Sequence, residues 1–248
     1  MQIEEYDALE KVEHEHWFYK GKRLLVRKWV ERAVKLASGD RIVDAGAGTG
    51  ELVRELRSIY DQRGVSVIGI EFVEEARRLA KERKATELLA GSILDLPLDD
   101  ESCKVAIALD VLEHVEDDKL AFSELLRVIS KGGIVIINVP AFMSLWSDWD
   151  VSLGHFRRYT KQMLNDVIAP HNAMIEVLHF EYANAFAYLP ILTVRKLSKL
   201  FRIQSRLEDR VPSPRTNKIL LNLFVNSSEK RWFHPPFGSS LFCVLRKK

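Results

Sequence analysis

Three glycines in tight alternation, Gly46, Gly48 and Gly50, follow the apolar pair Ile42-Val43 and an acid, Asp44. A turn of this kind brings backbone amides rather than side chains up to a ligand, because glycine adopts unusual backbone angles and allows close approach. The dinucleotide fingerprint is G-x-G-x-x-G, whereas the spacing here is G-x-G-x-G with a carboxylate immediately upstream. Asp44 would repel an anionic pyrophosphate, so the turn suits a ligand that brings positive charge. A second acid, Glu71, ends the apolar run Val67–Ile70 roughly twenty residues further on, where a carboxylate can accept from both ribose hydroxyls. S-adenosylmethionine (SAM) answers both requirements, with a sulfonium and an ammonium close together on an adenosine.

The stretches V-D-A-G-A-G-T-G and I-G-I-E, followed by L-P-L-D-D-E-S, A-L-D-V-L-E-H-V-E-D-D, L-L-R-V-I-S-K-G-G and I-V-I-I-N-V-P, resemble the motif series of class I SAM-dependent methyltransferases. The likeness covers about residues 41–140 and is nearest in kind to the small-molecule, ubiquinone-biosynthesis-like subgroup. It implies a cofactor site in which Asp44, Gly46, Ala47, Gly48 and Gly50 lie beside the methionine part of SAM and Glu71 takes the ribose. Phe72 would cover the adenine, Ser92 and Ile93 its amino edge, and Asp110 the end of the fourth strand. Relatives usually carry an acid where this chain has Ser92, and Phe-Asp where it has Cys103-Lys104. The opening His16-Trp17-Phe18-Tyr19-Lys20-Gly21-Lys22-Arg23 resembles the H-W-W-F-R-G-R-R start of one subgroup and would offer Arg23 or Lys20 to the SAM carboxylate. No metal ligands are assigned.

Methyl transfer to an alcohol also needs a base. His155 and His114 are the candidates, with His155 preferred: it lies in a loop after the fifth strand, behind Gly154 and ahead of Arg157 and Arg158, which could hold an acidic substrate. The loop over residues 140–160 also carries Trp146, Asp148, Trp149, Asp150 and Tyr159 and resembles the L-W-S-x-x-D…G-H-x-R-R-Y segment of the same subgroup.

These residues need an α/β frame. Apolar runs at 65–70, 86–90, 104–109, 134–139, 174–180 and 240–245, alternating with helical periodicity, predict a Rossmann-like, seven-stranded, mostly parallel sheet ordered 3-2-1-4-5-7-6, with the last strand antiparallel. Residues 1–38 read as a helical cap, with Gly132-Gly133 closing the helix before strand five. Residues 39–248 are the SAM-binding domain, and 182–239 a helical insertion between strands six and seven. That insertion is uncharged from Tyr182 to Val194 and rich in cations from Arg195 to Lys218. It reads as a lid, a homodimer contact, or a surface for lipid or a lipid-like substrate.

A net charge of +2 gives no footprint for nucleic acid, and no N-P-P-Y-type motif follows the fourth strand. No apolar run reaches the length of a membrane span. Cys103 and Cys243 sit in apolar runs as thiols rather than a disulfide framework, and the first residues lack an apolar signal region, so the chain is read as cytoplasmic. The expected partner is a small-molecule acceptor, methylated at oxygen or carbon. The alternatives are a non-catalytic SAM-binding module, suggested by Ser92 and Lys104, and a nicotinamide-dependent oxidoreductase, which Asp44 and the glycine spacing oppose.

Overall fold

The computed structural model describes residues 3–82, 88–201, 211–229 and 235–248. Seven strands form one sheet: β1 (Arg41–Ala45), β2 (Ser66–Glu71), β3 (Leu89–Ala90), β4 (Cys103–Leu109), β5 (Ile129–Pro140), β6 (Ile175–Ala183) and β7 (Ser240–Lys247). Their order is β3-β2-β1-β4-β5-β7-β6, as the alternating pattern predicts, and β7 runs antiparallel to both neighbours. The inner strands are apolar on both faces. Val43 and Ala106 pack in the cluster on one side, and Ile42 and Val105 in that on the other.

The first face is covered by α5 (Asp118–Val128) and α7 (Lys161–Ile168), the second by α2 (Trp17–Ala33) and α3 (Glu51–Tyr60). Asp117 caps α5 by accepting from Leu120 N at 2.9 Å, and Thr160 caps α7 by accepting from Met163 N at 3.2 Å. Leu120 and Met163 are exposed, because each sits in the first turn beside its cap rather than over the sheet. The remaining helices are α1 (Ile3–Glu13), α4 (Glu74–Glu82), α6 (Asp148–Ser152), α8 (Ala185–Phe201) and α9 (Pro214–Glu229).

Several boundaries differ from the sequence reading; β6 runs on to Ala183, so residues 182 and 183 belong to the sheet rather than to the insertion. Helix α5 stops at Val128, and β5 begins at Ile129, opposite Cys103, so the Gly132-Gly133 pair lies within the strand. The register shifts between Cys103 and Val105, and a Cβ on Gly133 would come within 2.7 Å of the Lys104 carbonyl; the glycines allow that irregularity. Residues 86 and 87, expected to begin strand three, lie outside the described residues, as do 202–210 and 230–234 of the insertion. Cys103 and Cys243 are buried and free. Among the described residues, no helix is long and apolar enough to cross a membrane.

Candidate active site

Strand β1 delivers the chain to the glycine turn at the carboxyl end of the sheet, where ligands bind in folds of this type. Gly46, Gly48 and Gly50 have φ of 88°, 55° and 81°. At Gly46 the need is double, since a Cβ would also meet the Val111 side chain at 2.5 Å. The Gly46 and Ala47 amides donate to Ile70 O, at 2.8 and 2.9 Å, which pins the turn to the end of β2. Glu71, the last residue of β2, is buried and accepts from Gly48 N at 2.8 Å and Val73 N at 2.9 Å. Burial pushes its carboxyl above the usual range, and those two amides oppose the shift. Asp44 lies across the β1–β2 pair and is also buried; burial, and then the Glu71 charge, push it up to about 7. Two buried carboxylates beside one glycine turn make a region that stabilises a cation.

Asp110, which follows β4, has a left-handed backbone, φ 55°, a strained conformation for a residue with a side chain. It is held from both sides. Asn138 of β5 donates its side-chain amide to Oδ1 at 2.6 Å, and Lys22 of α2 donates its ammonium to Oδ2. Lys22 is itself buried, its Nζ 4.2 Å from the centre of the Phe18 ring. Arg23, expected at the cofactor carboxylate, has donors engaged elsewhere: Nε to Glu55 at 2.9 Å, and the other nitrogens to the carbonyls of Glu13 and His14 at 2.8 and 3.3 Å. Lys20 is exposed. The cation placed at the strand ends is therefore Lys22, which the sequence reading passed over. Phe72 projects outward at 75% exposure. Ser92 accepts from Leu94 N at 3.1 Å in the turn that presents buried Ile93.

The loop after β5 folds back over the sheet. Tyr159 N donates to Pro140 O at 2.8 Å, and Phe142 N to Tyr159 O at 2.9 Å. Inside it, buried Asp150 accepts from His155 Nδ1 at 2.9 Å, Arg158 Nε at 2.7 Å and Ser147 N at 2.9 Å. Burial alone would raise its carboxyl, but the His155 and Arg158 hydrogen bonds outweigh that and hold it at about 2. A carboxylate only accepts, so Nδ1 of His155 is the donor to Asp150, and in the neutral ring Nε2 is the nitrogen with the lone pair. That Nε2 lies 3.9 Å from Oε1 of Glu113. His114 stands edge-on to His155, with ring centres 4.6 Å apart, and burial, then His155, lower it to about 4. The turn at Gly154 (φ 70°) brings His155 in as the sequence suggests.

Arg157 and Arg158 do not form an open anion clamp. Arg157 bonds Asp118 at 2.8 Å and the Glu116 carbonyl at 2.9 Å, and Arg158 is buried against Asp150. Glu113 was also passed over: its motif, L-E-H, was in view, but nothing in it says which of three consecutive side chains a single short helical turn (Leu112–His114) buries.

A cleft of about 1720 Å³ joins the two halves, lined by Asp44, Glu71, Asp110 and His155 among others. Its volume exceeds the several hundred to roughly 1,000 Å³ that holds one ligand, leaving room for a second. Its lining also includes the apolar side chains of Trp17, Leu145, Trp149, Phe186 and Ile191.

Residues 43–137 match the family model described as a methyltransferase domain. Over 128 residues the chain is 31% identical to the ubiquinone/menaquinone biosynthesis C-methyltransferase of Geotalea daltonii, covering 47% of this chain and 54% of that protein. Over 108 residues it is 30% identical to the O-methyltransferase cnsE of Penicillium expansum, covering 41% of this chain and 38% of that protein. The chain thus spans about half the length, or less, of these relatives. In three dimensions it is similar to a SAM-dependent methyltransferase of Thermotoga maritima described as a possible histamine N-methyltransferase. The TM-score is 0.60 at 19% identity, over 99% of this chain and 96% of that one. That likeness bears on the fold.

Proposed function

We propose that this chain, which carries a class I methyltransferase domain over residues 43–137, transfers the methyl group of SAM to a small-molecule acceptor. The observation that carries the reading is the pair of buried carboxylates, Asp44 and Glu71, on either side of the glycine turn. In this reading Gly46, Ala47, Gly48 and Gly50 line the methionine part with Asp44 near its positive charges. Glu71 receives the ribose hydroxyls, Ser92 and Ile93 face the adenine edge, and Asp110 with Lys22 closes the strand ends. Phe72 swings from its exposed position onto the adenine. Bound SAM supplies an electrophilic methyl on sulfur, and displacement is in line, so holding the acceptor in place and excluding water supply much of the rate.

Residues 184–239, after β6, and the N-terminal 1–38 act as lid and cap. The acceptor is apolar or lipid-like, given the aromatic and aliphatic side chains in the lining and the internal pairing of Arg157 and Arg158. Helices α8 and α9 expose Leu197, Leu200, Phe201, Ile219 and Leu223, with the exposed Lys196 and Lys218 next to them in sequence, a pattern suited to a lipid surface or to a second copy of the chain. If the acceptor is a hydroxyl, Nε2 of His155 takes its proton, with Asp150 fixing the ring.

The test is calorimetry with SAM, S-adenosylhomocysteine and NADH, followed by mass spectrometry of ligands carried through purification and of methylated products from apolar hydroxylated and quinol acceptors. Saturable SAM binding with product formation is the expected result. Binding of NADH in place of SAM would overturn the proposal, and SAM binding without turnover on any acceptor would favour a non-catalytic module.

A further inference from the structure

The cofactor reading leaves a buried carboxylate without a task. Glu113 is 0% exposed, and neither of its oxygens has a hydrogen-bond partner among the described residues. An unpaired buried charge is among the most costly arrangements a protein can hold. Burial, and then Asp110, push its carboxyl well above the ordinary carboxylate range, while Lys22 and Arg158 oppose the shift.

Two imidazoles face it. One ring nitrogen of His114, one of His155 and one oxygen of Glu113 all lie within 4.8 Å of one another. His155 presents Nε2, because Nδ1 gives its proton to Asp150, itself fixed by Arg158 and Ser147. The His114 ring is held by the backbone of Gly154. A carboxylate that orients an imidazole so that its other nitrogen points at a second group is the usual support of a metal-ligating histidine.

We propose that Glu113, His114 and His155 bind a divalent transition-metal ion of the imidazole-preferring class, such as Zn²⁺ or Co²⁺. Two nitrogens and one oxygen select against Mg²⁺ and Ca²⁺, which take oxygen ligands. Bonds of about 2.0–2.2 Å place ligand atoms roughly 3–3.5 Å apart, so the three groups close by about an ångström around the ion. Three protein ligands leave positions free, and all three residues line the cleft. An oxygen of the acceptor can take a free position and be polarised there. The imidazoles then act as ligands rather than bases. That use of the ion rests on the methyltransferase reading; its binding does not.

The test uses the full chain, without an affinity tag, stripped by chelator and titrated with Co²⁺ alone. The expected result is one Co²⁺ per chain, a visible ligand-field band, and displacement by Zn²⁺. Glu113→Gln keeps the shape of the site and should weaken binding by about 100-fold or more, and Asp150→Asn by roughly 10–100-fold. His114→Ala serves as a second ligand variant should Glu113→Gln fail to fold, with circular dichroism and SAM calorimetry as the check. Absence of the band, or equal affinity in the wild type and a folded ligand variant, overturns the site and leaves a neutral Glu113 sharing a proton with His155. SAM binding in that case leaves the methyltransferase reading standing; Co²⁺ binding without SAM binding does the reverse.

Discussion

The side-chain carbonyl of Asn217 accepts the backbone N–H of Trp17 at 2.9 Å, so α9 caps the start of α2 across two hundred residues of sequence. The amide of the same side chain donates to Glu15 O at 2.8 Å, and below it the buried Phe224 ring meets Trp17 and Phe18 at 6.1 and 5.9 Å. Gly21 provides the room, because a Cβ there would stand 2.4 Å from that ring. Gly21→Ala should therefore push α9 off α2. The expected signs are faster proteolysis within 211–229 and a weaker SAM affinity. Unchanged proteolysis and affinity together would mean that α9 does not cover the cleft.

Glu71→Ala should weaken SAM binding strongly, since two charge-assisted hydrogen bonds to the ribose are worth about 1.5–3 kcal/mol each. Glu71 also accepts from Gly48 and Val73, so Glu71→Gln is the companion variant that retains an acceptor for one of them. Calorimetry giving wild-type affinity for both variants would remove Glu71 from the ribose site.

Stability should depend on pH through Asp44 and Glu13. Burial raises both to about 7, from ordinary values of 3.8 and 4.5. A carboxyl whose folded-state pKa lies above its unfolded value contributes stability that is complete below the unfolded pKa and disappears as pH rises through the folded one. The unliganded protein should thus lose stability from about pH 4 to 7, and Asp44→Asn should flatten part of that fall. Cationic SAM favours the ionised Asp44, so its affinity should strengthen over the same interval. Thermal melts across pH with and without SAM check both signs; parallel curves would exclude Asp44 from contact with the ligand's charge.

His155→Ala and His114→Ala separate the two histidines. With an acceptor in hand and the protein stripped of metal by chelator, loss of roughly 100-fold or more in turnover for His155→Ala, with SAM binding intact, fits proton removal by that residue; the same loss confined to metal-loaded protein fits its place as a ligand. Normal turnover in His155→Ala would pass the role to His114, or leave catalysis to positioning.

Strand order and the glycine corner were legible because they rest on local pattern: an apolar run such as Val65–Ile70, then a turn, then helical spacing. The pairing of Asp150 with His155 was not, although both residues were singled out, because α6 turns the loop back on itself between them. Lys22 and Arg23 show the same limit. They are adjacent cations on one helix, and only the angle at which α2 crosses the sheet decides that the first reaches Asp110 and the second Glu55. Boundaries at Gly132-Gly133 failed for a different reason. A glycine pair reads as a helix stop, but here it accommodates a register shift against β4.

The contact between Lys22 and Asp110 bears on how the chain can be shortened. The segment recognisable from its relatives starts at residue 43, yet the ammonium that neutralises the strained end of β4 comes from twenty residues before it. A fragment trimmed to the recognisable segment would keep the glycine turn and lose this counter-ion, leaving Asp110 with the Asn138 amide as its side-chain partner. A piece that keeps this contact therefore begins upstream of Trp17, since α1 and α2 line the cleft together with the ends of the strands.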